Sequence, residues 1–266
     1  MKASVVLGMI GLLLLPVGYA PAAQEDIPAL IRDLGDADPG VRVQAVERLG
    51  HLGSASEEAV MPLAQTVLND GDKNTRIRAG IALGRIGASA KPAVPPLIRA
   101  LKGQDPEMRL RAAIGLRDMG PAAQEAVPDL AEAMKDPSVS VRFVAGEALS
   151  RMKSANEKAI PMLVKALKDT DKSVRFNAAE ALGNSGPSAI PFLLPLLKDE
   201  DPNVRANAAF AIGTIGPAAK EAIPLLVELL RDENLGVRLG AAQALEKIGT
   251  PEAQEAVRRH RGKAGT

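Results

Sequence analysis

The chain has 266 residues, 46% of them apolar, yet its rings are only four Phe and one Tyr, with no Trp. So few rings exclude an ordinary single core of this size, because aromatic side chains normally carry much of the buried area. The absence of Cys removes disulfides and thiolate chemistry, two His (His51 and His260) leave little for imidazole chemistry, and 33 basic against 32 acidic residues exclude a polyanion binder by composition.

Residues 1–22 read as a secretory leader. Lys2 is their only charge, Ala3 to Leu15 form an apolar core, Pro16 and Gly18 break it, and Ala20-Pro21-Ala22 has the small-x-small form of a signal-peptidase site. The expected outcome is export by a bacterial-type signal to a periplasm or the medium, with residues 23–266 as the mature chain; an uncleaved anchor is the alternative. Removing Lys2 leaves 32 basic and 32 acidic residues, a net charge of zero. With no staple in an exported fold, packing must hold it.

From residue 24 onward a repeat decides the architecture. The pattern Val-Arg-x-x-Ala-Ala-x-Ala-Leu-Gly-x-Ile-Gly recurs with its arginine at Arg42, Arg76, Arg109, Arg142, Arg175, Arg205 and Arg238, spaced by 34, 33, 33, 33, 30 and 33 residues. Fourteen residues before each arginine stands a proline: Pro28, Pro62, Pro95, Pro128, Pro161, Pro191 and Pro224. Length changes fall only between Gly53 and Pro62 and between Gly186 and Pro191. The proline-to-arginine unit is therefore a rigid helical hairpin, and the glycine-to-proline joint is expected to be a surface loop.

Each unit predicts two helices. The first has Pro near its start, where a missing N–H costs nothing, and Leu or Ile at helical spacing. The second opens on a capping aspartate, followed by proline at Asp38-Pro39, Asp105-Pro106 and Asp201-Pro202, and commonly closes on glycine at Gly53, Gly87, Gly186 and Gly216. Counting the arginine as zero, positions −1, +3, +7 and +10 form one apolar stripe: Val174, Ala178, Leu182 and Ser185 in the fifth unit, Val204, Ala208, Ile212 and Ile215 in the sixth. The alanines between them let helices approach closely. A stack of thin layers needs Ala and Leu rather than rings, and no layer could bury its face alone. The segment from Pro251 to Arg261 begins like an eighth first helix and turns basic at Arg258-Arg259-His260-Arg261, as suits a terminal cap.

Over residues 24 to 262 the chain resembles HEAT-like repeat proteins, specifically the short repeats found in phycobilisome bilin lyases. The resemblance implies an all-α fold, a right-handed α-solenoid of about seven HEAT-like hairpins plus a partial C-terminal repeat, with the Val-Arg helices on the concave side. It also implies a structural ladder in which each repeated arginine bonds an aspartate six residues earlier. The pairs are Asp36 and Arg42, Asp70 and Arg76, Asp136 and Arg142, Asp169 and Arg175, Asp199 and Arg205, and Asp232 and Arg238. Gly103 stands where the aspartate before Arg109 should be, so the ladder is expected to break there unless Asp105 substitutes.

Little in the sequence points to catalysis. The pairs Asp36/Asp38, Asp70/Asp72, Asp169/Asp171 and Asp199/Asp201 lack the glutamate and glycine turn of a calcium loop and suit an arginine partner plus an N-cap, so neither metal nor other cofactor is expected. HEAT-repeat hydroxylases carry iron on paired His-Glu dipeptides, and this sequence has none. Zero mature charge and no Trp argue against nucleic acid, and cleavage would leave no stable membrane span.

The informative surface is the inner one. Positions +1 and +5 of the second helix point away from the core stripe. They carry Val43, Ile77, Leu110, Phe143, Phe176, Ala206 and Leu239 at +1, and Glu47, Ile81, Ile114, Glu147, Glu180, Phe210 and Gln243 at +5. These side chains either pack laterally between repeats or form an apolar groove for an extended or helical segment of another protein. Arg78, Arg85, Arg111, Arg117 and Arg151 lie beside them, which favours an amphipathic, acidic partner. The leading expectation is an exported, non-enzymatic scaffold that binds a protein in this groove. The rivals are an enzyme or accessory of the bilin-lyase or hydroxylase kind, and a self-associating structural array.

Overall fold

The computed structural model describes residues 26–152 and 159–264, with side chains to His260. The predicted leader and residues 153–158 lie outside the described residues. Seven helical hairpins follow one another: α1 (Ile27–Asp33) with α2 (Pro39–Leu52), α3 (Val60–Asn69) with α4 (Lys73–Ile86), α5 (Val94–Leu101) with α6 (Pro106–Met119), and α7 (Val127–Ala133) with α8 (Val139–Arg151). The series continues with α9 (Ile160–Ala166) and α10 (Lys172–Asn184), α11 (Ile190–Leu193) and α12 (Pro202–Ile215), and α13 (Ile223–Leu229) and α14 (Leu235–Ile248). A lone helix, α15 (Pro251–Ala264), closes the stack and buries Ala253 and Val257, as a capping half-repeat should. No strand occurs among the described residues.

The local signals act as read. Asp38, Asp105 and Asp201 cap α2, α6 and α12 by accepting the N–H two residues on, at 2.7, 2.9 and 2.8 Å, with proline next in each case. Gly53 and Gly216 end their helices at φ 57° and 76° with ψ near −134° and −141°, a backbone conformation that a Cβ forbids.

The joints differ from the expected surface loops. Among the described residues the joints between hairpins are 3₁₀ helices; those at Gly87–Ala93, Gly120–Ala126 and Gly216–Ala222 bury two alanines each, Ala90 and Ala93, Ala123 and Ala126, Ala219 and Ala222, and the one at Gly53–Ala59 buries Ser56 and Ala59. The short joint Gly186–Ala189 has four residues instead of seven. The lost length is three residues, one 3₁₀ turn, so the chain still re-enters the next first helix on a buried alanine, Ala189, followed by buried Ile190.

One continuous core runs the length of the stack, with a buried aliphatic side chain in each layer: Leu49, Leu83, Leu116, Leu149, Leu182, Ile212 and Leu245 of the second helices are each at most 1% exposed. Burying such a side chain contributes about 1.5–3 kcal/mol. The predicted stripe is buried at Val174, Ala178, Leu182, Val204, Ala208 and Ile212. Ser185 and Ile215 are only half-buried, because the helix ends there and Ser185 turns its hydroxyl back to the Ala181 carbonyl at 2.7 Å. The even-numbered helices pack directly against one another along the whole stack, whereas consecutive odd-numbered helices touch sparsely. Closer packing on one side makes that side the shorter, inner side of the curve.

Candidate functional site

The arginine ladder is present, but it runs between repeats. Arg42 donates from Nη1 to the backbone carbonyls of Asp36 and Ala37, at 2.9 and 3.1 Å, not to the Asp36 carboxylate. Its Nε and Nη2 grip the carboxylate of Asp70 in the following repeat, at 2.8 and 2.9 Å. The same fork joins Arg109 to Asp136, Arg142 to Asp169 and Arg205 to Asp232. Each of these aspartates also accepts the N–H two residues further on, which fixes the turn that starts the next helix. The Arg205 fork and the Asn234 N–H hold the Asp232 carboxyl below its usual range, burial opposing them. In Asp136 and Asp169 burial is the largest single influence and acts upward, but the paired arginine and the backbone N–H outweigh it and the net shift is down.

This arrangement moves the predicted break. Gly103 supplies its carbonyl to Arg109 Nη1 at 3.1 Å like any other residue, and Arg109 keeps its fork on Asp136. Asp105 is not a substitute partner; it caps α6. The arginine left without a carboxylate fork is Arg76, in the repeat before, whose Nη2 lies 3.9 Å from Glu107. A second vacancy occurs at Arg175, before the shortened joint. It bonds the carbonyls of Asp169 and Thr170, at 2.7 and 3.0 Å, while Asp199 is taken by Lys168 Nζ at 2.6 Å. Arg238, in the last unit, holds the carbonyls of Asp232 and Glu233 at 2.7 and 2.9 Å.

The Asp-x-Asp pairs are thus divided between a turn-forming aspartate and a cap. In the pairs led by Asp70 and Asp169, the first carboxylate is already committed to an arginine. His51 lies in the last turn of α2, with Nε2 3.4 Å from Arg85 Nη1, and His260 sits in α15.

The predicted inner face carries four of the nine large exposed apolar side chains among the described residues, the others being Met61, Val139, Phe192, Val227 and Leu235. Phe143, Phe176, Ile81 and Leu239 are 37%, 49%, 39% and 55% exposed. Ile77, Leu110, Ile114 and Phe210 are half-buried, with Leu110, Ile114 and Phe210 packed laterally on the core. The two columns are thus mixed: Leu110 and Ile114 of the third unit and Phe210 of the sixth pack on the core, whereas Ile81, Phe143, Phe176 and Leu239 are exposed. Phe176 and Phe210 have ring centroids 5.2 Å apart, and Lys247 Nζ stands 5.0 Å from the centre of the Phe210 ring, so Phe210 is covered and Phe176 and Phe143 are not. The fourth phenylalanine, Phe192 on α11, is 44% exposed on the other side of its hairpin.

The basic residues beside this face are mostly neutralised by the chain itself. Arg78 pairs with Glu47, Arg111 with Glu107 at 3.0 Å, and Arg117 and Arg151 share Glu147 at 3.0 and 2.7 Å. Arg117 also bonds Asp118, a residue the sequence reading did not single out, at 2.8 Å. The Asp118 side chain is 3% exposed, its Oδ2 has no hydrogen-bond partner among the described residues, and burial pushes its carboxyl above the usual range against the pull of Arg117. Only its place beside the small Gly80 and Gly84 in the previous repeat, visible as spacing but not as contact, could have signalled it. No group of three or more His, Cys, Asp or Glu side chains among the described residues is arranged to hold a metal ion.

Seven hairpins on one core, joined by a fork that repeats from layer to layer, define an α-solenoid of helical repeats. The family model for HEAT repeats matches residues 27–101, 94–183, 153–194 and 190–264, and the chain belongs to that family. No curated protein matches it. Among solved structures it is similar to the karyopherin Kap121p, at 18% identity and a TM-score of 0.62 over 89% of this chain and 30% of that one. An engineered protein is similar at 26% identity and a TM-score of 0.48, with 90% of this chain and 72% of that one covered. The complex of CpcE and CpcF of phycocyanin lyase from Nostoc sp. gives 24% identity and a TM-score of 0.45, with 94% and 98% covered.

Proposed function

We propose that this HEAT-repeat solenoid is an exported, non-enzymatic scaffold that binds a segment of another protein along its even-helix face. The observation that carries the reading is the pair Phe143 and Phe176, 37% and 49% exposed at the same register on consecutive even-numbered helices of a chain with only four phenylalanines. Rings are the costliest residues to leave in water, and a contiguous apolar strip on a soluble surface marks a contact site. Kap121p, which shares the fold, has been captured with Pho4p bound, so a solenoid of this kind can hold another protein. The ladder carboxylates Asp70, Asp136, Asp169 and Asp232 are spent on inter-repeat forks, which supports a structural rather than catalytic use of the acidic residues. Export rests on the leader sequence, residues 1–22.

The test is a photo-crosslinking residue at position 176, introduced in the exporting cell, with identification of what it captures. A discrete adduct that disappears when Phe143→Asp is added is the expected result. Labelling no different from that at an exposed odd-helix position, such as 192, would overturn the reading. The mature N-terminus is checked separately: cleavage removes Tyr19, the single tyrosine, so the exported protein should be nearly silent at 280 nm.

A further inference from the structure

Three arginines of the ladder, Arg76, Arg175 and the terminal Arg238, lack the aspartate that four others grip, and a surface cavity lies against the first two. The one beside Arg76 is partly supplied with charge, because Glu107 lines it. The one beside Arg175 is different. It is an open cavity of about 500 Å³ with Phe143 and Phe176 on one side, Lys172 and Arg175 as its cations, and Asn203 and Asn207 opposite. No acidic side chain lines it among the described residues.

Arg175 is held in place as its counterparts are, by two carbonyl bonds from Nη1, which leaves its Nε and Nη2 edge without a partner among the described residues. What that edge accepts is displayed by the chain itself: in Arg42, Arg109, Arg142 and Arg205 the same two nitrogens hold one aspartate carboxylate, at 2.6–3.1 Å. A planar, pre-positioned fork selects a carboxylate by geometry as well as charge.

We propose that the Arg175 cavity receives an Asp or Glu side chain from a bound protein segment, which supplies in trans the carboxylate missing from the ladder, while an apolar neighbour in that segment lies on Phe143 and Phe176. Lys172 adds a second positive charge, and the Asn207 amide, which bonds no other described residue, is available to the segment's backbone. This deepens the protein-binding reading and rests on it: the partner is an acidic-apolar segment, and its anchor is the fifth repeat rather than the paired arginines of repeats two to four.

The probe is an acetylated and amidated hexapeptide of alternating leucine and aspartate, titrated into the full mature chain while the arginine Nε–H signals are followed by NMR. The Arg175 signal, assigned from its loss in Arg175→Lys, should move saturably while those of Arg42, Arg109, Arg142 and Arg205 stay fixed. The leucine–asparagine version should bind about tenfold more weakly, the loss expected for a charged hydrogen-bonded pair. Arg175→Lys keeps the charge, loses the fork, and should weaken the aspartate peptide by a similar factor. Equal affinity for both peptides, or no shift at Arg175, overturns the proposal. So does an equal response to acetate or inorganic phosphate, which would make the cavity a general anion site. If crosslinking at position 176 succeeds but Arg175→Lys captures as well as the native chain, the scaffold reading stands and this one falls. If the peptide engages Arg175 and no protein is captured in the cell, the reverse holds.

Discussion

Arg142 reaches out of its own repeat and closes on Asp169 of the next, Nε to Oδ2 at 2.7 Å and Nη2 to Oδ1 at 3.1 Å, with the two side chains 12% and 11% exposed. The bond crosses the seam along which a solenoid would slip or open. A stack whose layers touch only their neighbours depends on such seam contacts as much as on the core within each layer. Arg142→Met should therefore cost about 3 kcal/mol, since it strands a largely buried carboxylate. Arg175→Met, which strands none, should cost about half as much, through its two carbonyl bonds alone. Urea denaturation of both variants measures the difference, and equal losses would mean that the fork contributes nothing at the seam.

That the fork joins neighbours could not be read from spacing. In a repeat of 33 residues, the aspartate six before one arginine is also the aspartate 27 after the previous one, so both assignments predict the same columns. Only the direction of the side chain separates them. The columns, most helix ends and caps, and the exposure of Phe143 and Phe176 were legible, because each follows from local backbone chemistry or helical phase, whereas the covering of Phe210 and the exposure of Phe192 were not. The neutralisation of Arg78 and Arg117 was not legible either, because their partners, Glu47 and Glu147, come from adjacent layers at separations of about thirty residues, whereas Arg111 and Arg151 pair with Glu107 and Glu147 four residues earlier in their own helices. The 3₁₀ joints were half legible: a change of three residues is one 3₁₀ turn, but the deletion alone looks the same in a loop.

Acid should loosen the stack, and the sign follows from the ladder. Asp136, Asp169 and Asp232 have folded-state carboxyls below their usual range, so they bind protons more readily when unfolded. Their contribution is complete above the unfolded value near 4 and is lost as pH falls through the lower folded values. Asp118 acts in the opposite sense, because its raised carboxyl costs stability at neutral pH and that cost is relieved by protonation. The urea midpoint should drop below about pH 4. Asp232→Asn should make the drop shallower, and Asp118→Asn should make it steeper.

Surface and core should separate cleanly in mutational response. Phe143→Asp with Phe176→Asp alters two exposed rings, and the melting temperature and helical signal should stay nearly unchanged while partner capture is lost. Leu182→Ala, at a position with no exposure, should cost about 2–5 kcal/mol by opening a cavity in one layer. Phe210→Asp belongs between them, since that ring is half-buried, stacks on Phe176 and lies under Lys247. A large loss of stability in the double Phe variant would place these rings in the core and remove the basis for a binding face.

A close backbone approach between consecutive even helices gives the sharpest steric prediction. A Cβ on Gly84 would stand 2.6 Å from the Asp118 carbonyl oxygen and 3.2 Å from the Met119 Cα, both backbone atoms that cannot swing aside. Helix propensity alone favours alanine over glycine there by about 1 kcal/mol. The contact should reverse that sign, so Gly84→Ala is expected to destabilise the chain by about 1–3 kcal/mol, the usual cost of overpacking. Gly80→Ala, whose Cβ would meet the Asp118 Cβ at 3.0 Å and the Gly115 Cα at 3.3 Å, should be milder, because both contacts are longer than the 2.6 Å approach at Gly84. Denaturation midpoints in the order native, Gly80→Ala, Gly84→Ala would place the seam between the second and third repeats at backbone contact. A Gly84→Ala variant more stable than the native chain would show that the layers there are free to move apart.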